Sequence, residues 1–407
     1  MTARGAAYEV VLRVFEDDAY ADRVLRTVAT GLDSRDRALA QRLAFGTVQR
    51  VRTLDHAIGT LGKRPVRKLD PPVRAALRLG AYQLGFSGVA THAAVNETVE
   101  LVRSARLERA VAFTNAVMRR LSEGLPSLLS SLGEDTPADA ALKHSYPDWV
   151  AELWWDELGR EDALALMRAQ NEPPERVVRL NRRKQGHVAG KPDPEFPDAL
   201  HVERVDEAAL AAGLIWPQSR GSQLAGLVVG AREGDRTLDL CAAPGGKATQ
   251  LDGEVVAVEL HPGRARELEE NCRLLGADNV SVVTADATKL PPELTDFDHV
   301  LVDAPCSGLG VLAARPDLRW RAQPLPELQL ELLRVAAERV KPGGTIIYSV
   351  CTINAEENEA VVDGSGLRIV PLGDDWPQFR HPRRPEFLLT LPHVHDTSGF
   401  FIARLGT

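Results

Sequence analysis

The chain has 407 residues and a formal net charge of −8, with 44% hydrophobic and 26% charged residues. This composition is ordinary for a soluble globular protein and excludes collagen, a coiled-coil rod and a wholly disordered chain; at ~100–200 residues per domain the length predicts two or three domains. No apolar run approaches the ~20 residues needed to cross a bilayer, and Met1 to Val11 lacks an apolar signal-peptide core, so a cytoplasmic protein without a membrane partner is expected.

Charge is spread unevenly along the chain. Residues 1–125 hold 20 Lys+Arg and 13 Asp+Glu, a net of +7, and the remainder holds 29 and 44, a net of −15. A basic first third on an acidic body suggests an anionic partner for that third, weighed against an Arg-rich but merely solvated helical surface.

Residues 1–125 read as an all-helical bundle. Asp70-Pro71-Pro72 is a helix start, with an N-cap carboxylate before proline in the first turn. A helical apolar stripe follows at Val73, Ala76, Leu77, Ala81 and Leu84, and others run through Val10-Val11-Val14 and Val95-Val99-Val102. Arg109 to Leu121 is the last predicted helix. Residues 126–145, rich in Ser, Gly, Pro and Asp, read as a linker. Residues 146–230 read as a small α+β intermediate module, with a helix over Trp149 to Ala169, a strand at Arg176 to Asn181 and a basic polar loop from Arg182 to Pro197.

Residues 231–407 alternate strands with helices. Apolar runs at Thr237–Leu240, Val255–Val258, Val280–Val283, His299–Val302 and Thr345–Tyr348 are separated by helical stretches such as Arg264–Leu275 and Leu325–Val340. The pattern predicts an α/β Rossmann-like domain with a parallel sheet, and Phe400-Phe401-Ile402-Ala403 reads as a last edge strand.

Ligands of such sheets bind beyond the carboxyl ends of the strands, so the residues after each strand carry the information. After the first comes Asp239-Leu240-Cys241-Ala242-Ala243-Pro244-Gly245-Gly246-Lys247, whose small residues admit close backbone approach. It is neither Gly-x-Gly-x-x-Gly nor Walker A, which disfavours a nicotinamide reductase and a P-loop enzyme. Glu259 follows the second strand, placed for ribose hydroxyls, and Asp286 the third, placed for an adenine amino group. Each acid alone reads as a cap or a solvated charge; three in register favour an adenosine-containing cofactor.

Asp303-Ala304-Pro305-Cys306-Ser307-Gly308 follows the fourth strand and Tyr348-Ser349-Val350-Cys351-Thr352 the fifth. One such cysteine would read as core. Two, with Asp303 three residues before the first, match a chemical need. C5 of cytosine is a poor nucleophile until a thiolate adds to C6 and converts the ring to an enamine. The reaction needs that thiolate, a group that meets N3, and a base that removes the C5 proton. The two remaining cysteines are Cys241, in the first strand-end loop, and Cys272, read as core. No Cys-x-x-Cys pair occurs, so no metal site is expected.

The residues at 239–247, 303–308 and 348–352, followed by Glu356-Glu357-Asn358, resemble the bacterial RNA cytosine-C5 methyltransferases of the Sun/Fmu/RsmB group. The likeness spans nearly the whole chain. Residues 1–125 resemble its NusB-like RNA-binding module at Ala44-Phe45-Gly46-Thr47, Leu77 to Leu84, His92 to Glu97 and Asn115 to Arg119, and residues 146–230 resemble its intermediate module. The resemblance implies S-adenosylmethionine as cofactor, held by Cys241, Ala242, Ala243, Pro244, Gly245, Gly246, Lys247, Glu259, Arg264, Asp286 and Asp303. It implies Cys351 as nucleophile, Cys306 as the thiol for product release and Asp303 as the third catalytic residue. Spacing alone does not say which cysteine attacks. Lys247 is assigned either to the cofactor carboxylate or to the base, and the connection from Lys247 to Glu259 is shorter than the family pattern.

The implied activity is C5 methylation of a cytosine in unassembled 16S rRNA by a monomer with no obligate protein partner. The base must leave its stack to be reached, and Arg315, Arg319 and Trp320 are placed either to grip flanking RNA or to form a salt-bridged turn with a core Trp. The same chemistry on tRNA or 23S rRNA is one alternative, and a non-catalytic RNA-binding assembly factor is another.

Overall fold

The computed structural model describes residues 1–407 and contains two compact units. One comprises Met1–Glu172 with Leu312–Arg321, the other Pro173–Val311 with Ala322–Thr407. The chain therefore crosses between units three times.

The first unit is helical: α1 (Ala3–Glu16), α2 (Ala21–Val28), α3 (Ser34–Gln49), α4 (Val51–Gly62), α5 (Pro71–Phe86), α6 (Thr91–Ser104), α7 (Glu108–Ser131), α8 (Pro137–His144), α9 (Asp148–Leu158) and α10 (Arg160–Ala169). Helix α5 is central, with Val73 and every residue from Ala75 to Gln83 buried. Close approach to it needs residues without side chains: a Cβ at Gly46 of α3 would lie 2.1 Å from the Tyr82 ring, and one at Gly80 would lie 2.3 Å from Thr98 Oγ1. Asp70 does not cap α5 through its side chain; its carboxylate instead accepts from Arg109 Nη2 at 3.0 Å, an exposed pair of little energetic weight.

The stretch expected as a linker, 126–145, is mostly helix. Helix α7 continues through Gly124 and Pro126 because Leu121 and Leu125 are buried and Leu128 and Leu129 pack on the same core. That burial outweighs the ~3 kcal/mol cost of an interior proline. Helix α8 starts where Thr136 Oγ1 accepts from the Asp139 amide beside Pro137, an N-cap that the composition disguised. The helix expected over Trp149–Ala169 is two, broken at Gly159, whose φ of 81° suits glycine. Both belong to the first compact unit, which extends to Glu172. Charge follows the same division. Residues 126–172 add 3 basic and 10 acidic side chains and 312–321 add 3 and 1, so the unit nets only +2, the excess of residues 1–125 being offset by residues 126–172.

The short helix α14 (Leu318–Arg321) completes this unit. Arg319 is fully buried, and its guanidinium donates to the carbonyls of Gln49 and Ser145, to Asn171 Oδ1 and to the Tyr146 hydroxyl at 2.9–3.1 Å. Trp320 Nε1 donates to the Val48 carbonyl at 2.7 Å. Arg315 and Arg321 flank the buried Asp317 at 3.8 and 4.0 Å, and burial holds that carboxyl above its usual range. The segment is thus the salt-bridged turn rather than a grip for RNA. Arg319→Met is expected to destabilise the protein by about 2–4 kcal/mol, because buried carbonyls lose their donor. An unchanged melting temperature with weakened RNA binding would overturn that reading.

The second unit holds two sheets. The small one has order β2-β3-β1-β4, all antiparallel, from β1 (Val177–Leu180), β2 (Lys191–Pro192), β3 (Ala199–His201) and β4 (Ile215–Pro217). The large one is built from β5 (Arg236–Asp239), β6 (Glu254–Glu259), β7 (Val280–Thr284), β8 (Phe297–Asp303), β9 (Val340–Val350), β10 (Arg368–Val370), β11 (Leu388–Thr390) and β12 (Phe400–Gly406). Its order is β10-β12-β9-β8-β5-β6-β7, with β11 also on β12. The pairs among β9, β8, β5, β6 and β7 are parallel. Helices α11 (Glu207–Ala211), α12 (Arg220–Val229), α13 (Pro262–Leu275), α15 (Pro326–Arg339), α16 (Glu359–Ser365) and α17 (Pro392–His395) complete the unit.

The run Phe400–Ala403 is not an edge strand, since β12 lies antiparallel between β9 and β10. Its four residues are all buried, the mark of a strand covered on both faces. Strand β5 has β6 on one side and β8 on the other, so the strand order reverses there and a crevice opens beyond its carboxyl end. No helix is long and apolar enough to cross a membrane.

Candidate active site

Every residue expected to bind the cofactor or take part in the chemistry lies in the second unit, at or shortly after the carboxyl ends of β5, β6, β7, β8 and β9. The loop after β5 begins with Asp239, which is buried and accepts from the Cys241 amide at 3.3 Å. Burial, reinforced by the neighbouring Asp303 charge, pushes the Asp239 carboxyl up to about 7. Burial, reinforced by the surrounding carboxylates, likewise pushes the Cys241 thiol up, which favours its protonated form. Gly245 has φ 103°, where a side chain would be strained and a Cβ would strike Leu268 at 2.6 Å. After Lys247 the chain makes only a 3-10 turn, Ala248–Gln250, before β6; this is the short connection seen in the sequence.

That loop is held from β1. Arg179 is 4% exposed and donates to Thr249 Oγ1 at 2.9 Å, the Gly246 carbonyl at 3.3 Å and Gln218 Oε1 at 2.8 Å. Arg183 adds donors to the Thr249 and Leu251 carbonyls at 2.5 and 2.8 Å. Burial among these neutral acceptors lowers the Arg179 guanidinium to about 10. The sequence reading missed Arg179; the available signal was a charged residue at an inward position of a predicted strand.

Glu259 ends β6, is 4% exposed, and accepts from the His261 amide at 2.9 Å. Arg264, in the first turn of α13, reaches Glu259 Oε2 at 3.5 Å and donates to the Ala243 carbonyl at 2.8 Å. It therefore ties the β5 loop to the β6 acid. Asp286 stands apart. Its Oδ1 accepts from the Thr288 amide and hydroxyl at 3.0 and 2.8 Å, and those bonds hold its carboxyl below the usual range.

The chemistry-bearing groups of β8 and β9 do meet. The strands pair in parallel with Asp303 opposite Ser349, which sets the two following loops side by side. Cys306 Sγ and Cys351 Sγ are 3.5 Å apart. The Cys351 thiol is held below its ordinary range, first by the hydrogen bond from Cys306 and further by Lys247, against burial and the Asp303 charge. The same contact, and then burial, moves Cys306 well upward. The two shifts favour a thiolate on Cys351 over one on Cys306. Asp303 Oδ2 accepts from Lys247 Nζ at 2.7 Å and Oδ1 from Ser349 Oγ at 2.8 Å. Lys247 Nζ also lies 5.0 Å over the Phe400 ring. Cys272 is buried within α13 and takes no part.

The donor set fits a charged adenosine cofactor. A buried carboxylate ends β6, a side-chain-free stretch of backbone sits at 245–246, and further carboxylates follow β5 and β8, with Asp286 after β7 on the same edge of the sheet. A cavity lined by Glu233, Gly234, Gly253, Glu254, Asp278 and Asn279 opens at the amino ends of β5 and β6, away from the thiols.

Residues 227–406 match the family model for the 16S rRNA methyltransferase RsmB/F, and residues 1–123 match that of the NusB family. A Salmonella paratyphi B ribosomal RNA small subunit methyltransferase B is 30% identical, with 87% of each chain covered. The Salmonella arizonae protein of the same name is 29% identical over 99% of this chain and 98% of its own. Among solved structures, PH0851 superposes with a TM-score of 0.83 at 24% identity over 100% of this chain and 99% of its own, a likeness of fold. A methyltransferase homolog from Pyrococcus horikoshii reaches 0.58 at 26% identity over 67% of this chain and 99% of its own.

Proposed function

The chain belongs to the RsmB/F family of 16S rRNA methyltransferases, and from that premise we propose that it methylates C5 of a cytosine in protein-free small-subunit rRNA through a covalent bond from Cys351 to C6. It is an S-adenosylmethionine-dependent methyltransferase acting on RNA. The observation that carries the finer reading is the sulfur pair at 3.5 Å, with a carboxylate and an ammonium paired at 2.7 Å beside it.

The cofactor, when bound, supplies the electrophilic methyl group that C5 takes. Glu259 would hold its ribose hydroxyls, the 241–246 backbone its polar tail, and Asp286, whose Oδ2 lies 4.0 Å from Lys289 Nζ, its adenine. Arg264 fixes the first two relative to each other. Glu259→Ala is expected to weaken cofactor binding by about 10–100-fold and to leave RNA affinity unchanged; an unaltered dissociation constant in calorimetry removes Glu259 from the site.

The protein side of the reaction follows from proton positions. Cys351 enters as the thiolate, its charge stabilised by the Cys306 S–H. Its sulfur bonds to C6, and the ring electrons shift toward N3, which is met from the Lys247–Asp303 pair. Asp303 already accepts from Lys247 and Ser349, so Lys247 Nζ is the donor of that pair, which supports its reading as the group that meets the target base.

Once Cys351 is a neutral thioether, the charge that held the proton on Cys306 is gone. Cys306, which is partly exposed, then gives its proton to solvent more readily and takes the proton from the methylated C5; the C5–H electron pair restores the C5–C6 double bond and expels sulfur from C6 as the Cys351 thiolate. Incubating protein-free small-subunit rRNA with methyl-labelled cofactor and digesting it to nucleosides tests the reading. It expects label in 5-methylcytidine, and label in any other nucleoside would refute it. Equal labelling of tRNA would overturn the small-subunit assignment alone.

A further inference from the structure

Glu357 lies six residues beyond Cys351 and is completely buried. No cation is paired with it; its charge is balanced by hydrogen-bond donors alone. Oε1 accepts from the amides of Ser307 and Leu325 and from Gln329 Nε2, at 3.0, 3.1 and 3.0 Å. Oε2 accepts from the Ser307 hydroxyl in a short bond and from Asn354 Nδ2 at 3.3 Å. These donors come from the Cys306 loop, the start of α15 and the Cys351 loop. Gln329 Nε2 also donates to the Pro305 carbonyl at 2.9 Å, and the Ser307 hydroxyl lies 2.7 Å from that of Thr352. The backbone is therefore gripped on both sides of Cys306, and one carboxylate joins that grip to the loop bearing Cys351.

We infer that Glu357 is a positioning residue for the two-thiol reaction: it holds the Cys306 loop against the Cys351 loop and presents a buried negative charge to the sulfur pair. The inference rests on the function proposed above. A structural anchor for these loops needs only acceptors, which an amide or a backbone carbonyl supplies without the cost of burying a charge. The charge has a use in this place. Cys306 is faced by Cys351 and Glu357, and Tyr348 senses both Cys306 and Glu357; Asp303 and Lys247 act on Cys351. Negative charge on Glu357 raises the Cys306 thiol and so favours the state with the proton on Cys306 and the thiolate on Cys351. Glu357 thereby helps decide which sulfur attacks and delays the other until the adduct exists.

Two variants separate charge from geometry. Glu357→Gln is isosteric and keeps one acceptor oxygen for the Ser307 and Leu325 amides; Glu357→Ala loses both. The measurement is a single turnover on a small-subunit rRNA transcript carrying tritium at C5 of its cytidines, following tritium release against pH. In Glu357→Gln the release midpoint is expected to fall by about one pH unit, with the cofactor KM unchanged. In Glu357→Ala release is expected to slow about tenfold or more at every pH, through lost alignment. A wild-type midpoint in the Gln variant overturns the role of the charge, and wild-type rates in the Ala variant overturn the positioning. A Cys306→Ala control run alongside keeps the tests apart: if it traps no adduct, the underlying function fails, whereas if it traps one and both Glu357 variants behave as wild type, only this inference fails.

Discussion

Replacing Cys351 with alanine is expected to reduce methyl transfer to RNA by ~1000-fold or more, with cofactor affinity and melting temperature little changed. The magnitude follows from losing the covalent route, since the other thiol of the pair, Cys306, is held well above its ordinary range. Serine does not substitute, because a hydroxyl at this position stays protonated where the thiol does not. The fold tolerates the change because Cys351 is half-buried and serves no helix cap or turn. Wild-type activity carries a matching pH signature. A thiol held below its usual range must be deprotonated to attack. The rate of adduct formation therefore rises with pH and levels off below the range of a free thiol. Full activity in Cys351→Ala would remove the mechanism, whatever the product.

Replacing Cys306 with alanine is expected to stop the reaction one step later. The protein attacks and methylates, then lacks the base for the C5 proton, so a protein–RNA adduct accumulates on denaturing gels. Turnover falls by about 100-fold or more, the size of a lost general base. The structure adds a second expectation. The Cys306 S–H is the first cause of the lowered Cys351 thiol, so adduct formation in Cys306→Ala has its pH midpoint displaced upward. If the variant forms no adduct at any pH, Cys306 has no release role; if it forms one with an unmoved midpoint, the sulfur–sulfur hydrogen bond has no electrostatic function.

The parts of this architecture that were legible in the sequence are those written locally. Strand ends announce themselves by a short apolar run followed by small residues and one acid, which is how Asp239, Glu259, Asp286 and Asp303 came into register before any sheet order was known. Two cysteines after consecutive strands became a pair because β8 and β9 are neighbours, a parallel adjacency that the alternating pattern favours. Asp70 misled because a residue type suited to capping was read as a cap, while the structure gives it to Arg109. Residues 126–145 misled because composition was allowed to outweigh Leu121, Leu125, Leu128 and Leu129, whose helical spacing continues across Pro126. Glu357 stood in a quoted motif with no assigned task, since its task depends on Ser307 and Gln329, 50 and 28 residues away in the chain. Arg179 showed only as a charged residue at an inward position of a strand, because its partners at 246 and 249 lie in the loop after β5, 67 and 70 residues away.

The excursion of Leu312–Arg321 has a consequence for how the protein can be divided. Arg319 supplies donors to carbonyls of Gln49 and Ser145 that have been committed to burial by the helices around them. A protease cut or gene split at residue 172 would therefore not release a finished helical half. Its keystone is encoded 147 residues downstream of the cut, inside the other half. Expressed alone, residues 1–172 resemble a protein awaiting complementation, and a peptide spanning 312–321 is the fragment that would make it whole.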